Sequence, residues 1–247
     1  MNTATPRRPV VLLTADFDTT AAQNGAHTEQ EYRLRANYVE AVTDVGGLPL
    51  IVPLHADPLD ELLALADGLI VTGSAPGAEV ASERLAFERR LVATAIASGM
   101  PLLGICHGMQ LIGECLGGRI VRDDPKLTPD ITPHIPSLVP NRLAHEVELR
   151  NGSRLAAWYP ARRLRVNSLH RHALADVGDG DGEGDGERVV RYRVAARAND
   201  GVVEAIEGLG PGFCLGIQWH PEYRLTDLDR CILREFVAQS AKWAKLR

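Results

Sequence analysis

Three residue types stand in this chain where they could do nucleophilic chemistry: a cysteine, a histidine and a glutamate. The segment Leu103-Gly104-Ile105-Cys106-His107-Gly108-Met109-Gln110 joins a short apolar run to a helix-forming stretch. Gly-x-Cys-x-Gly is the cysteine form of a nucleophile elbow, in which the side chain rides on a sharp strand-to-helix turn and the glycines leave room for neighbouring backbone. A sulfur so placed sits at the positive end of the following helix, and the His107 N–H is a candidate oxyanion donor. A nucleophile needs a base, and a base needs a group to orient it. Gly216-Ile217-Gln218-Trp219-His220-Pro221-Glu222 supplies both. His220 closes an apolar strand, and Glu222 follows across a stiff proline at a spacing that can set its carboxylate on the imidazole. Asp67-Gly68-Leu69-Ile70-Val71-Thr72-Gly73-Ser74 is a further buried-strand pattern, and Gly73 or Ser74 could offer a second oxyanion N–H at its end. Val166-Asn167-Ser168-Leu169-His170-Arg171-His172 ends another strand with side chains suited to a polar pocket.

Blander readings stand beside these. The elbow pentapeptide taken alone also fits a structural cysteine at a tight turn, and the 166–172 stretch alone also fits a surface loop. Cys115, Cys214 and Cys231 lie in apolar runs that favour core packing. His27, His55, His134 and His145 lie in loop-like or strand contexts and read as surface or structural residues. His170 and His172 could begin a metal site, but no third ligand stands near them in sequence, and the expectation is no metal. No CxxC pair points to zinc either.

The elements that must position these residues alternate in the first half. Strands are expected at Val10–Ala15, Leu48–Leu54, Gly68–Thr72 and Pro101–Ile105. Helices are expected at Thr28–Val45 (with a Thr28/Glu31 capping box), Asp57–Ala66, Ser82–Ser98 and His107–Leu116. That rhythm predicts an α/β fold, a doubly wound, mostly parallel sheet with helices on both faces. The second half departs from it. Residues 122–142 carry five prolines and read as an extended excursion. Leu143–Arg150, Leu164–Val166, Arg188–Ala198, Val202–Glu207 and Phe213–Trp219 read as strands that add a small antiparallel portion. Thr226–Ala244 closes the chain as an amphipathic helix capped by Thr226. The run Gly178 to Glu187 alternates glycine with acids, lacks the ligand order of an EF-hand, and reads as a flexible acidic loop.

Length and composition bound the rest. A chain of 247 residues can bury a full core, and the whole of it reads as one domain. With 45% hydrophobic and 24% charged residues it is neither disordered nor fibrous. A net charge of -5 argues against a nucleic-acid partner. No apolar run is long enough for a membrane span, and the run after the basic start is too short for a signal-peptide core, so a cytoplasmic location is expected.

Four segments together resemble the class I glutamine amidotransferase family, and within it the gamma-glutamyl-gamma-aminobutyrate hydrolase branch (peptidase C26-like). They are Gly104 to Gln110, Val166 to His170, Asp200 to Ala205 and Gln218 to Glu222. The resemblance runs nearly end to end. It implies a flavodoxin-like fold, a Cys106–His220–Glu222 triad and oxyanion groups at Gly73, Ser74 and His107. It also implies glutamyl contacts at Gln110, Asn167, Ser168, Leu169 and His170, no cofactor, and a homodimer as the assembly. The implied activity is hydrolysis of gamma-glutamyl amides through a thioester, in polyamine or amine catabolism. The alternative is a glutaminase component that supplies ammonia to a separate synthase. The chain departs from the branch at His107, where arginine is usual, at His172, where glutamine is usual, in a short segment after Ser74, and in the acidic loop.

Overall fold

The computed structural model of the chain describes residues 7–21, 28–54, 59–74, 80–122, 134, 141–175 and 189–246. Among them the elements run β1 (Val10–Leu13), β2 (Asp16–Ala21), β3 (Thr28–Arg33), α1 (Ala36–Asp44), β4 (Leu48–Ile51), α2 (Leu59–Ala64), β5 (Gly68–Val71), α3 (Ser82–Ser98), β6 (Leu102–Ile105) and α4 (His107–Cys115). The second half continues with β7 (Ile120–Arg122), β8 (His145–Leu149), α5 (Arg154–Trp158), β9 (Arg163–Val166), β10 (His172–Leu174), β11 (Tyr192–Ala198), β12 (Val203–Gly208), β13 (Cys214–Ile217) and α6 (Asp227–Trp243). The acidic run 178–187, and all of the proline-bearing excursion between residues 123 and 140 except His134, lie outside the described residues.

One nine-stranded sheet organises the molecule in the order β4-β1-β5-β6-β13-β12-β11-β8-β9. The first five strands are parallel, and the remaining four extend the same sheet antiparallel. The parallel strands β1, β5 and β6 read VVLL, GLIV and LLGI and are buried throughout, as strands covered on both faces must be. Their alternate side chains feed two cores. Val11, Leu13, Ile70, Leu103 and Ile105 pack with Val42 of α1 and Phe236 of α6. Leu12, Leu69, Val71 and Leu102 pack on the other face with Leu91 of α3 and Met109 of α4. The carboxyl ends of β5, β6 and β13 therefore open onto one edge, where sheets of this kind bind ligands.

The expected Thr28–Val45 helix is corrected. Residues 28–33 form β3, a hairpin partner of β2, and the helix begins only at Ala36. The physical reason is legible afterwards. TEQEYR has no apolar helical face, whereas the register opposes Phe17 to Tyr32, whose rings meet at 5.4 Å between centroids. The buried stripe of α1, Tyr38, Ala41 and Val42, starts beyond it. The short elements β7, β10 and α5 go beyond the sequence expectation. α5 is announced by Ser153, whose Oγ accepts from Ala156 N at 3.1 Å. The expected Thr226 cap is present as a full capping box, with Asp229 N donating to Thr226 Oγ1 and Thr226 N donating to Asp229 Oδ2.

Candidate active site

β6 ends in Cys106, and the chain turns there into α4. Cys106 has φ 53° and ψ -105°, a left-handed backbone that a side-chain-bearing residue adopts only under constraint. The constraint is local. Cys106 N donates to Ile217 O at 2.7 Å. A Cβ on Gly104 would lie 2.5 Å from the Gly108 backbone, and one on Gly108 would lie 2.0 Å from the Val71 carbonyl oxygen. Both glycines of the elbow are thus required by close approach of main chain to main chain.

β13 carries the partner. Beyond Ile217 the chain reaches His220, whose Nδ1 lies 2.8 Å from Glu222 Oε1 across a 3-10 turn at Pro221–Tyr223. His220 and Glu222 are both buried. Burial disfavours charge on His220, but the Glu222 carboxylate and the Cys106 thiol beside it outweigh that, and its pKa is pushed up to about 10. The ring is therefore an imidazolium at neutral pH. Gly73 lies between the two groups: a Cβ there would sit 3.3 Å from His220 Cε1 and 3.6 Å from Cys106 Cβ. Cys106, His220, Glu222, Gly73 and the His107 main chain at the first turn of α4 thus share one edge of the sheet.

The two expected oxyanion positions, Gly73 and Ser74, differ in what their N–H groups meet. Gly73 N donates to Tyr38 Oη at 3.0 Å, so this N–H is already spent. Gly73 O accepts from Arg84 Nη2 at 3.3 Å, which orients the Gly73–Ser74 peptide with its N–H on the opposite side from Arg84. Ser74 is the remaining donor of the pair.

Several residues that hold this site carry no short-range sequence signal. Arg84 is fully buried. It donates to Glu88 Oε1 at 2.9 Å and to Thr72 O at 3.2 Å, and pairs with Asp16. Glu88 Oε2 lies 2.8 Å from His107 Nε2. Although burial favours its neutral form, Arg84 and His107 hold the Glu88 carboxyl below the usual range. The histidine that departs from the family pattern is thus seated on an anion, its ring turned into the fold. Tyr38, buried beside Glu222 and Cys106, has its phenol raised well above its ordinary value and stays neutral. Gln218 donates to Cys106 Sγ at 3.6 Å and accepts from Gln110 Nε2 at 3.1 Å. It lies inside the Gln-Trp-His-Pro-Glu segment, which is the signal that could have found it. Trp219 Nε1 donates to Asp229 Oδ1 at 2.9 Å and so ties the same segment to α6.

The expected glutamyl contacts are near the triad, but most of their polar atoms serve the protein. Asn167 Nδ2 donates to His220 O at 3.1 Å, and His220 N donates to Asn167 Oδ1 at 2.9 Å, so its side chain clamps the histidine main chain. Ser168 Oγ donates to His134 O at 2.8 Å, and Leu169 is buried. His170 Nδ1 faces His172 O at 3.1 Å and its Nε2 faces His134 Nδ1 at 3.1 Å. Gln110 also donates to His172 O at 2.7 Å. A cavity of about 570 Å³ opens beside His220, Gly73 and Ser74, walled by Tyr32, Arg33, Leu34 and Arg35 from the end of the β2–β3 hairpin and its link to α1.

A doubly wound sheet with a cysteine elbow at its carboxyl edge, facing a histidine–glutamate pair, defines the class I glutamine amidotransferase-like hydrolases. A Thermoplasma acidophilum protein, provisionally described as one component of a GMP synthase, has the same fold, with a TM-score of 0.64, 18% identity, and 97% of this chain and 98% of that one covered. The peptidase C26 family profile matches residues 9–222, and the chain belongs to that family. It is 31% identical over 226 residues to the gamma-glutamyl-gamma-aminobutyrate hydrolase of Escherichia coli O157:H7, covering 83% of this chain and 85% of the relative. It is 33% identical over 239 residues to a Mycobacterium tuberculosis protein provisionally named a glutamine amidotransferase, covering 90% of this chain and 72% of that one. The chain is thus a peptidase C26 hydrolase. Among the described residues no helix is long and apolar enough to cross a membrane.

Proposed function

We propose that the chain hydrolyses gamma-glutamyl amides with Cys106 as nucleophile, His220 as acid and base, and Glu222 as the group that orients His220. The observation that carries this reading is the strained Cys106 elbow beside an imidazolium already paired to Glu222. The Cys106 sulfur, its proton held by His220, attacks the side-chain amide carbon. The oxyanion gathers against the N–H groups of His107 and Ser74. The C–N bond breaks as His220 Nε2 gives its proton to the leaving amine, and a gamma-glutamyl thioester remains on Cys106. His220 then takes a proton from water, the hydroxide adds to the thioester, and glutamate leaves with the thiol restored.

The glutamyl half is assigned to the side of Gln110 and the Ser168–Leu169 main chain, as the family resemblance implies. The amine half fits the cavity, where the exposed Arg35 favours a leaving amine with a carboxylate at its far end, while Arg33 already pairs with Asp18 at 3.1 Å and Glu31 at 3.5 Å. Gamma-glutamyl-gamma-aminobutyrate, the substrate in the name of the Escherichia coli relative, has that shape. The test is glutamate release by the purified chain from gamma-glutamyl-gamma-aminobutyrate, from glutamine and from a gamma-glutamyl diamine. We expect release from the first to exceed the others at least tenfold and to vanish in Cys106→Ala. Release that survives Cys106→Ala would refute the triad. Glutamine hydrolysis that appears only with a synthase added would favour the reading as a glutaminase component.

A further inference from the structure

Below the candidate active site lies a second cluster that the reaction above does not use. His134, His145, His170 and Glu204 come from four separate places in the chain: the stretch before β8, the first residue of β8, the turn after β9, and β12. Their nearest ligand atoms all lie within 4.8 Å of one another. Glu204 is fully buried, and neither of its carboxylate oxygens completes a hydrogen bond. Glu204 Oε1 lies 3.2 Å from His134 Nδ1, 3.4 Å from His145 Nε2 and 3.4 Å from His170 Nε2, and the His134 and His170 nitrogens are 3.1 Å apart.

The outer nitrogens each face an acceptor. His134 Nε2 faces Asp200 Oδ2 at 2.8 Å, His170 Nδ1 faces His172 O at 3.1 Å, and His145 Nδ1 faces Glu146 O at 3.4 Å. All three are acceptors, so each neutral ring carries its N–H outward and turns a lone pair inward. With neutral rings, three lone pairs and a carboxylate oxygen then converge, which is repulsive unless a metal ion or a proton sits among them; burial opposes a proton on His134, but Glu204 and Asp200 favour one. A tetrahedral zinc ion with bonds of about 2.0–2.1 Å separates its ligand atoms by about 3.3–3.4 Å; the three distances from Glu204 Oε1 and the His134–His170 distance, 3.1–3.4 Å, lie close to that, and all the ligand atoms lie within 4.8 Å of one another. Outer acceptors that fix the tautomer of each ligand are what such sites use.

We propose that His134, His145, His170 and Glu204 form a closed structural zinc site. Four protein ligands leave no open position for chemistry, which separates this site from the triad. Its position gives it a task. It anchors His134 to the sheet, and through Ser168 and His170 it fixes the turn whose Asn167 clamps His220. No sequence spacing reveals the site, because each ligand is brought by a different element.

The test reads metal, not activity, so its outcome stands apart from that of the proposed reaction. Full-length protein prepared in zinc-supplemented medium and freed of loose metal should hold about one zinc per chain by mass spectrometry of the elements. Cobalt in its place should show the strong visible absorption of a tetrahedral centre. Stripping with a chelator should lower Tm by roughly 5–10 °C, and zinc should restore it. Glu204→Gln and His145→Gln should each keep less than a tenth of the zinc while retaining the native circular dichroism; if Glu204→Gln does not fold, His145→Gln and the cobalt spectrum decide. A chain that takes up no zinc or cobalt and melts alike with either metal or chelator would overturn the proposal, leaving a protonated histidine network. Variants that bind zinc as the parent does would overturn it too.

Discussion

Replacing Asn167 by alanine separates two roles for a residue beside the triad. In the structure its amide spans the His220 main chain, accepting from the N–H at 2.9 Å and donating to the carbonyl at 3.1 Å. Both groups are buried, and alanine leaves each without that partner. A buried backbone group stripped of its partner costs about 1–3 kcal/mol, so the pair together costs about 4 kcal/mol. For a chain of this size each kcal/mol moves Tm by about 2–4 °C, so the variant should melt roughly 8–16 °C lower. The loosened segment carries the His220 ring, and a displacement of even 1 Å at a catalytic group costs on the order of 10²-fold in rate. The expected pattern in steady-state hydrolysis is a fall in kcat with KM within about threefold of the parent. Calorimetry supplies the Tm. An unchanged Tm and kcat with a raised KM would refute the clamp and make Asn167 a substrate ligand, as the family resemblance implies.

Other consequences follow from the buried charges. Arg84→Met leaves the buried Glu88 with His107 and Thr14 but without its guanidinium, and the loss of one partner of a buried pair should cost about 3–5 kcal/mol in urea unfolding. The double change Arg84→Met with Glu88→Gln should recover part of that cost, and a double variant worse than the single would contradict the pairing. His220 holds its proton more tightly folded than unfolded. The stability it contributes is therefore complete below about pH 6.5 and is lost progressively as pH rises toward 10. Tm should fall over that window, with a smaller fall in Glu222→Gln; an identical pH dependence in the two proteins would show that Glu222 does not set the His220 proton affinity.

Much of the candidate active-site edge could be read from the chain because it is built from contiguous residues. The buried strands at 10–13, 68–71 and 102–105 announce themselves as apolar runs, and Gly104-Ile105-Cys106-His107-Gly108 specifies its own turn, since only glycine fits where Gly104 meets Gly108 and Gly108 meets Val71. His220 and Glu222 are two residues apart, so their pairing needs only a local turn. The hairpin at 16–33 escapes a sequence reading because its partner strands are polar and find their register only through each other. What the tertiary structure alone decided are the contacts between residues far apart in sequence. Tyr38 takes the Gly73 N–H, Arg84 and Glu88 seat His107, Asn167 turns to His220, and His134, His145 and His170 close around Glu204. Each of these pairings depends on which strands are neighbours in the sheet. That order comes from global packing of two cores against one sheet, and it leaves no periodicity or spacing in the sequence from which it could be read.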